Sequence, residues 1–219
     1  MKDNKHRWQN LLICLLMMIA GTASGQHNGI DLSFKNNELP IDSLQEAEYP
    51  ELDYRGDCVE AIRWMDRSGE HYLLLNETGE EPTDEQGYRN AFLWGYHFLN
   101  TDSGTKRVWT FMDFVQDCPV DIEARFLRNA LRITDLDNDG IAEVWLLYQL
   151  ACKGDVSPSE FHIVLYHTEQ SYVKMSGETK LVFPNCVEEG GGYTFDKGFA
   201  KLPRAFRQYG QWLWERYVG

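Results

Sequence analysis

Nine residues, Asp135 to Glu143, carry the densest chemistry in this chain: Asp-Leu-Asp-Asn-Asp-Gly-Ile-Ala-Glu. Acidic oxygens fall at loop positions 1, 3 and 5, a glycine at 6 and a carboxylate at 9, which is the spacing of a calcium loop. Alternation points Asp135, Asp137 and Asp139 toward one centre, and Gly140 permits the sharp turn that keeps them there. A hard divalent cation takes six to eight oxygens at about 2.3–2.6 Å. The aspartates supply side-chain oxygens, Ile141 its backbone carbonyl at position 7, and Glu143 a carboxylate, directly or through a water. The expectation is a structural Ca2+ held by Asp135, Asp137, Asp139, Ile141 and Glu143. Without an ion, four carboxylates this close repel one another and some must protonate. The alternative is a solvated turn, since Asp, Asn and Gly favour turns in any case.

No catalytic pattern matches this one in strength. His71, His97, His162 and His167 are scattered without metal-ligand spacing and read as partly satisfied strand histidines. There is no Gly-x-Ser-x-Gly elbow, no phosphate-binding glycine loop and no His-Glu-x-x-His. Gly190-Gly191-Gly192 opens no helix. A glycosidase needs two carboxylates about 5–9 Å apart, which an acidic chain can always offer. The clustered carboxylates here are better explained by an ion. Phe92, Trp94, Tyr96 and Phe98 alternate on one face of a strand. Exposed, they would make a stacking platform for sugar rings; burial in a core is the favoured reading, because aromatic rings carry the largest burial gain. Trp145 shares the strand face of Glu143 and is read with the same caution. Trp212 falls off its helix stripe and is a candidate contact with a partner or another element.

The acidic loop needs rigid flanks. Ala130–Thr134 before it and Val144–Tyr148 after it are short and rich in β-branched, aromatic and aliphatic residues, so both read as strands. Position 12 is Leu146, where an EF-hand requires a bidentate Glu. Strand, acidic loop, strand resembles the single calcium loops of integrin-type FG-GAP and VCBS repeats, Asp-x-Asp-x-Asp-Gly-x-x-Asp, with Glu for Asp at position 9. Those repeats build propellers from many copies, and this chain holds the loop once.

The ends place the chain. Lys2, Lys5 and Arg7, the apolar run Leu11–Ala20 and the small residues Thr22-Ala23-Ser24-Gly25 read as a secretory signal peptide over 1–25, too short to span a membrane. Cys14 lacks the small preceding residues of a lipobox, so soluble export is expected: periplasm, cell surface or medium. The formal charge is −13 and moves to near −15 when the leader's three basic residues and Asp3 are lost. That argues against nucleic acid and anionic membranes as partners. Residues 26–57, poor in large apolar side chains, read as a flexible lead-in, and 58–219 as one β-rich domain. Cys58, Cys118, Cys152 and Cys186 suggest two disulfides in an exported chain. Three connectivities are open; Cys118 and Cys152 flank the acidic region, which leans the choice toward that pair.

Short strands separated by turn signals fill the domain. Val59–Met65 and His71–Leu75 flank a turn at Asp66–Gly69; Ala91–Leu99 and Arg107–Val115 flank one at Asn100–Gly104. Ile122–Leu127 fits a strand or a helical turn. Phe161–His167 and Tyr172–Met175 make another pair, and Asn185–Gly192 reads as a loop. From Pro203 the period changes: Phe206, Tyr209, Leu213 and Tyr217 recur at helical spacing, with Gly210 and Trp214 near the stripe. Val108, Met112 and Phe114 alternate with Trp109, Phe111 and Val115, so that strand asks for cover on both faces. The expected fold is mainly β: an antiparallel meander or two-layer sheet with a C-terminal amphipathic helix over one face.

Four separated pieces carry a family resemblance: Asp117-Cys118; Ile133-Thr134 with the acidic loop; Cys152-Lys153-Gly154-Asp155-Val156-Ser157-Pro158; and Lys201–Phe206 followed by Tyr209, Trp212 and Trp214. Over roughly residues 58–217 they resemble short exported Gram-negative proteins described as surface polysaccharide biosynthesis proteins. The resemblance implies a cell-envelope or surface-glycan setting and carries no catalytic residue. The expected function is non-enzymatic: assisting polysaccharide assembly or binding glycan on a calcium-stiffened scaffold. The alternatives are a carbohydrate-active enzyme using acids near the loop, and a purely structural or interaction protein of the envelope.

Overall fold

The computed structural model describes residues 34–48, 54–167, 171–184 and 187–219. The expected leader and Cys186 lie outside them. Two antiparallel sheets pack face to face. The first holds β1 (Asp42–Ser43), β2 (Asp57–Asp66), β3 (Gly69–Glu77), β4 (Glu81–Pro82), β5 (Arg89–Thr101) and β6 (Gly104–Cys118). On β5, β3 and the short β4 pair along one side and β6 along the other. The second sheet holds β7 (Ile122–Phe126), β8 (Arg132–Thr134), β9 (Glu143–Cys152), β10 (Glu160–Tyr166) and β11 (Tyr172–Glu178). After β12 (Lys180–Val182) and β13 (Glu188–Gly190), which pair only with each other, β14 (Tyr193–Phe195) completes the second sheet on β11.

Alternation decides what each sheet buries. Ile62, Trp64, Leu73, Leu75, Leu93, Phe111 and Val115 point inward from the first sheet. They meet Phe126, Val144, Leu146, Tyr148, Val164 and Tyr166 of the second. Each fully buried side chain of this size contributes about 1.5–3 kcal/mol. β9 is buried on both faces, which is why Val144–Tyr148 reads as an unbroken apolar run. Its other face, Trp145 and Leu147, joins Phe161, Ile163, Leu165 and Met175 under α1 (Arg204–Tyr217). The helix lays Phe206, Tyr209, Leu213 and Trp214 on that face. Gly210 is required there: a Cβ would stand 2.7 Å from Phe199 Cζ. Tyr217, expected on the stripe, is only half-buried.

Cover on the outer face of the first sheet is partial. Tyr96 and Phe98 are buried in a small cluster with Ala61 and Leu74, roofed by Leu44 and Tyr54, while Phe92 and Trp94 are half-buried. The expected cover on both faces of β6 is not met, because Met112 and Phe114 are 43% and 40% exposed. Of the span Ile122–Leu127, which fits a strand or a helical turn, Ile122–Phe126 is a strand paired with β9. Part of the expected loop at 185–192 is strand β13.

Residues 34–48 depart from the flexible lead-in expected over 26–57. Leu39 N–H donates to Ile133 O, Asp135 N–H to Asn37 O, and Asn37 Nδ2 to Asp135 O. Tyr209 hydroxyl donates to Glu38 at 3.0 Å, and Phe34 packs against Tyr209 and Trp212. Trp212 thus contacts another element of this chain. The segment has few apolar residues but satisfies its backbone on both sheets, since β1 pairs with β2. The disulfide Cys118–Cys152, Cα atoms 5.7 Å apart, ties the end of β6 to the end of β9 and so joins the two sheets.

Candidate metal centre

β8 and β9 form the hairpin that carries the acidic loop, with Thr134 opposite Glu143. Two left-handed residues turn the chain, Asn138 at φ +58° and Gly140 at φ +82°, so the glycine stands where backbone sterics ask for one. The loop folds onto its own carboxylates. Gly140 N–H donates to Asp135 Oδ2 at 3.1 Å, Asp139 N–H to Asp137 Oδ1 at 3.2 Å, and Ile141 N–H to Asp139 Oδ1 at 2.7 Å.

Asp135, Asp137 and Glu143 each bring a carboxylate oxygen within 4.8 Å of the others, a group that could hold a metal ion. Asp139 is exposed and stands outside that group; Ile141 is half-buried on the loop's return. Asp135 Oδ1 is buried and, among the described residues, has no hydrogen-bond partner. Glu143 is 3% exposed. Thr134 hydroxyl donates to its Oε2 at 2.6 Å, Leu136 N–H donates to the same oxygen at 2.9 Å, and Trp145 Nε1–H donates to Thr134 Oγ1 at 2.9 Å. Burial pushes the Glu143 carboxyl up to about 7; those hydrogen bonds pull it down, and the charges of Asp137 and Asp135 push it further up. A carboxylate with two anions beside it and no cation is unfavourable, and a bound cation removes the conflict. The donors are all oxygen, which suits a hard ion.

The loop docks on the opposite sheet. Arg67 N–H donates to Gly140 O at 2.8 Å, and Ala142 N–H donates to Asp66 Oδ2 at 3.0 Å. Asp66 organises a second cluster that sequence reasoning missed. Its Oδ1 accepts from the Ser68 amide (2.7 Å), the Ser68 hydroxyl (2.6 Å) and His71 Nε2 (3.0 Å). Burial alone would raise the Asp66 carboxyl, but the donors on His71, Ser68 and Ala142 hold it far below the usual range. His71 Nδ1 lies 2.9 Å from His97 Nε2, and both rings stack on Trp64. Burial lowers His97 to about 3. His71 thus bridges Asp66 and His97, one ring nitrogen on each. A cavity of about 40 Å³ lies beside them, walled by Trp64, Trp109, Tyr166, Ile141 and Ala142.

Ser68 Oγ sits 2.9 Å from His71 Nε2, so a nucleophile–base pair must be weighed. The ionised Asp66 claims both the serine proton and the Nε2 proton, and the Ser68 amide is bound to the same carboxylate. The pair is locked, and Ser68 has no activated hydroxyl. His71 shares the inward parity of Leu73, and His97 that of Leu93; that parity was the available signal. His162, also buried, contacts Glu160 at 3.1 Å. Trp145 is fully buried, so it is no sugar contact. Comparison with protein-family models, curated proteins and solved structures finds no match.

Proposed function

We propose that this chain is an exported, non-enzymatic protein of the cell envelope whose β-sandwich is stapled by one calcium ion, and which serves surface polysaccharide assembly or glycan binding. The carrying observation is the convergence of Asp135, Asp137 and Glu143, together with a buried, unpartnered oxygen on Asp135. Asp139 and the Ile141 carbonyl are the further donors the loop spacing supplies. The ion neutralises the carboxylates and fixes the hairpin against the β2–β3 turn. A structural role is favoured over catalysis because Glu143 is enclosed and both neighbours' hydrogens already occupy it. The glycan setting rests on the four-piece resemblance, and Phe92 and Trp94 are the half-buried rings of the stripe that a sugar could stack on.

Calorimetric titration of calcium into the metal-stripped chain, with melting followed in parallel, tests the reading. One-site binding is expected, with stabilisation of about 2.7 kcal/mol at a hundredfold excess over Kd. Asp137→Ala should lower the melting temperature in calcium and change little in chelator. Equal losses in both conditions would sink the ion's role. An oligosaccharide array run with calcium present tests the glycan half separately.

A further inference from the structure

β6 closes the first sheet and pairs with β5 alone, so among the described residues its other side carries no ladder. On the far side of β5, Phe92 O accepts from the Thr78 amide and Phe92 N–H donates to Thr78 Oγ1. The Phe92–Phe114 pair is therefore of the non-bonded type, and the backbone groups of Phe114, Met112 and Thr110 face outward. The ladder between β5 and β6 shifts register opposite residues 107–109 and again opposite 115–118. The regular run of the edge is Trp109–Val115, and its middle residue is Met112. Two bulges thus frame a straight edge whose side chains at Met112 and Phe114 are large, apolar and exposed. From behind, Asp113 anchors the strand to the second sheet through Tyr148 hydroxyl (2.6 Å) and Lys174 Nζ (3.0 Å).

We propose that this edge pairs antiparallel with the same edge of a second copy, about a two-fold axis through Met112. In that register Met112 meets its own counterpart, Thr110 lies opposite Phe114, and each bulge faces the other copy's bulge. The charges agree: Lys106 and Arg107 stand just past one bulge, Arg107 lying over the Tyr96 and Phe98 rings, and Asp117 lies within the other, so each end of the ladder brings the basic end of one copy toward Asp117 of the second. Parallel pairing would set like charges side by side, at a cost. Asp113 Oδ1 already takes the Phe114 N–H at 3.0 Å. The ladder therefore consists of reciprocal Met112 bonds and Thr110 amides donated to Phe114 carbonyls. A seam this short belongs to the weak, transient class of interfaces.

Sedimentation of the full mature chain from about 1 to 500 µM should show a monomer–dimer equilibrium. Met112→Pro removes an amide that faces only the second copy, so it leaves the internal ladder intact and should weaken association at least about tenfold. Thr110→Lys, which keeps every amide, should weaken it too and decides the matter if the proline variant melts early. Met112→Cys should cross-link to its own copy under mild oxidation, whereas Gln116→Cys should not. A wild-type chain that stays monomeric across the range overturns the proposal, as does undiminished association of Thr110→Lys and Met112→Pro.

Discussion

At the proposed calcium site, the ion and protons would compete for one buried carboxylate, Glu143. In the metal-free chain its carboxyl is pushed from an ordinary 4.5 to about 7, chiefly by burial. Between those values the folded chain holds a proton that the unfolded chain has released. Raising the pH strips that proton and costs stability, so the metal-free protein should be most stable below pH 4.5 as far as this group is concerned, and its contribution should be lost by pH 7. The separation corresponds to about 3 kcal/mol. For a chain of this length that is about 6–12 °C in melting temperature. The assay is a set of melts in chelator from pH 5 to 8 on the wild type and Glu143→Gln, which has no proton to lose. The difference between the two should grow with pH. In calcium the carboxylate is held ionised, so the wild-type dependence should flatten, and calcium affinity should fall about tenfold per pH unit below 7. Identical slopes for wild type and variant in chelator would refute the reasoning, because Glu143 would then not be the group that titrates.

Three further outcomes are expected. Asp66→Ala leaves the Ser68 amide, the His71 ring and the Ala142 amide without their acceptor, at about 3 kcal/mol by urea unfolding, and should weaken calcium binding through the undocked loop. Replacing Cys118 and Cys152 together by Ser releases a loop of 34 residues and should cost about 3–4 kcal/mol, compared by denaturation under non-reducing conditions. Gly210→Ala drives a methyl into the Phe199 ring and should cost about 1–3 kcal/mol in the same assay.

What could be read in advance was local. The strands flanking the acidic loop, the hairpins at Asp66–Gly69 and Asn100–Gly104, and the helix beginning after Pro203 all follow from period and turn chemistry over a few residues. The ligand spacing in Asp135–Glu143 is equally local, and so three of its carboxylates meet. What escaped is held by distant partners. Asp66 looks like any turn aspartate until Ala142, 76 residues on, donates to it. His71 and His97 meet across 26 residues. Residues 34–48 look featureless because most of their attachments are backbone bonds and polar side-chain contacts with distant residues, with few apolar anchors such as Phe34 and Leu44, and polar composition hides those.

That N-terminal segment has a consequence for how the chain is made. Asn37 bonds a residue 98 positions later, and Glu38 one 171 positions later. Contacts of such separation form late, because the intervening loop must first be closed. A chain emerging N-terminus first can pair residues 42–44 with β2 early, but presents residues 34–39 long before their docking sites exist and completes their seating only after Tyr209 has followed. Among the earliest residues of the described fold, Phe34 and Glu38 are thus the last to be fastened, waiting on a tyrosine of the C-terminal helix.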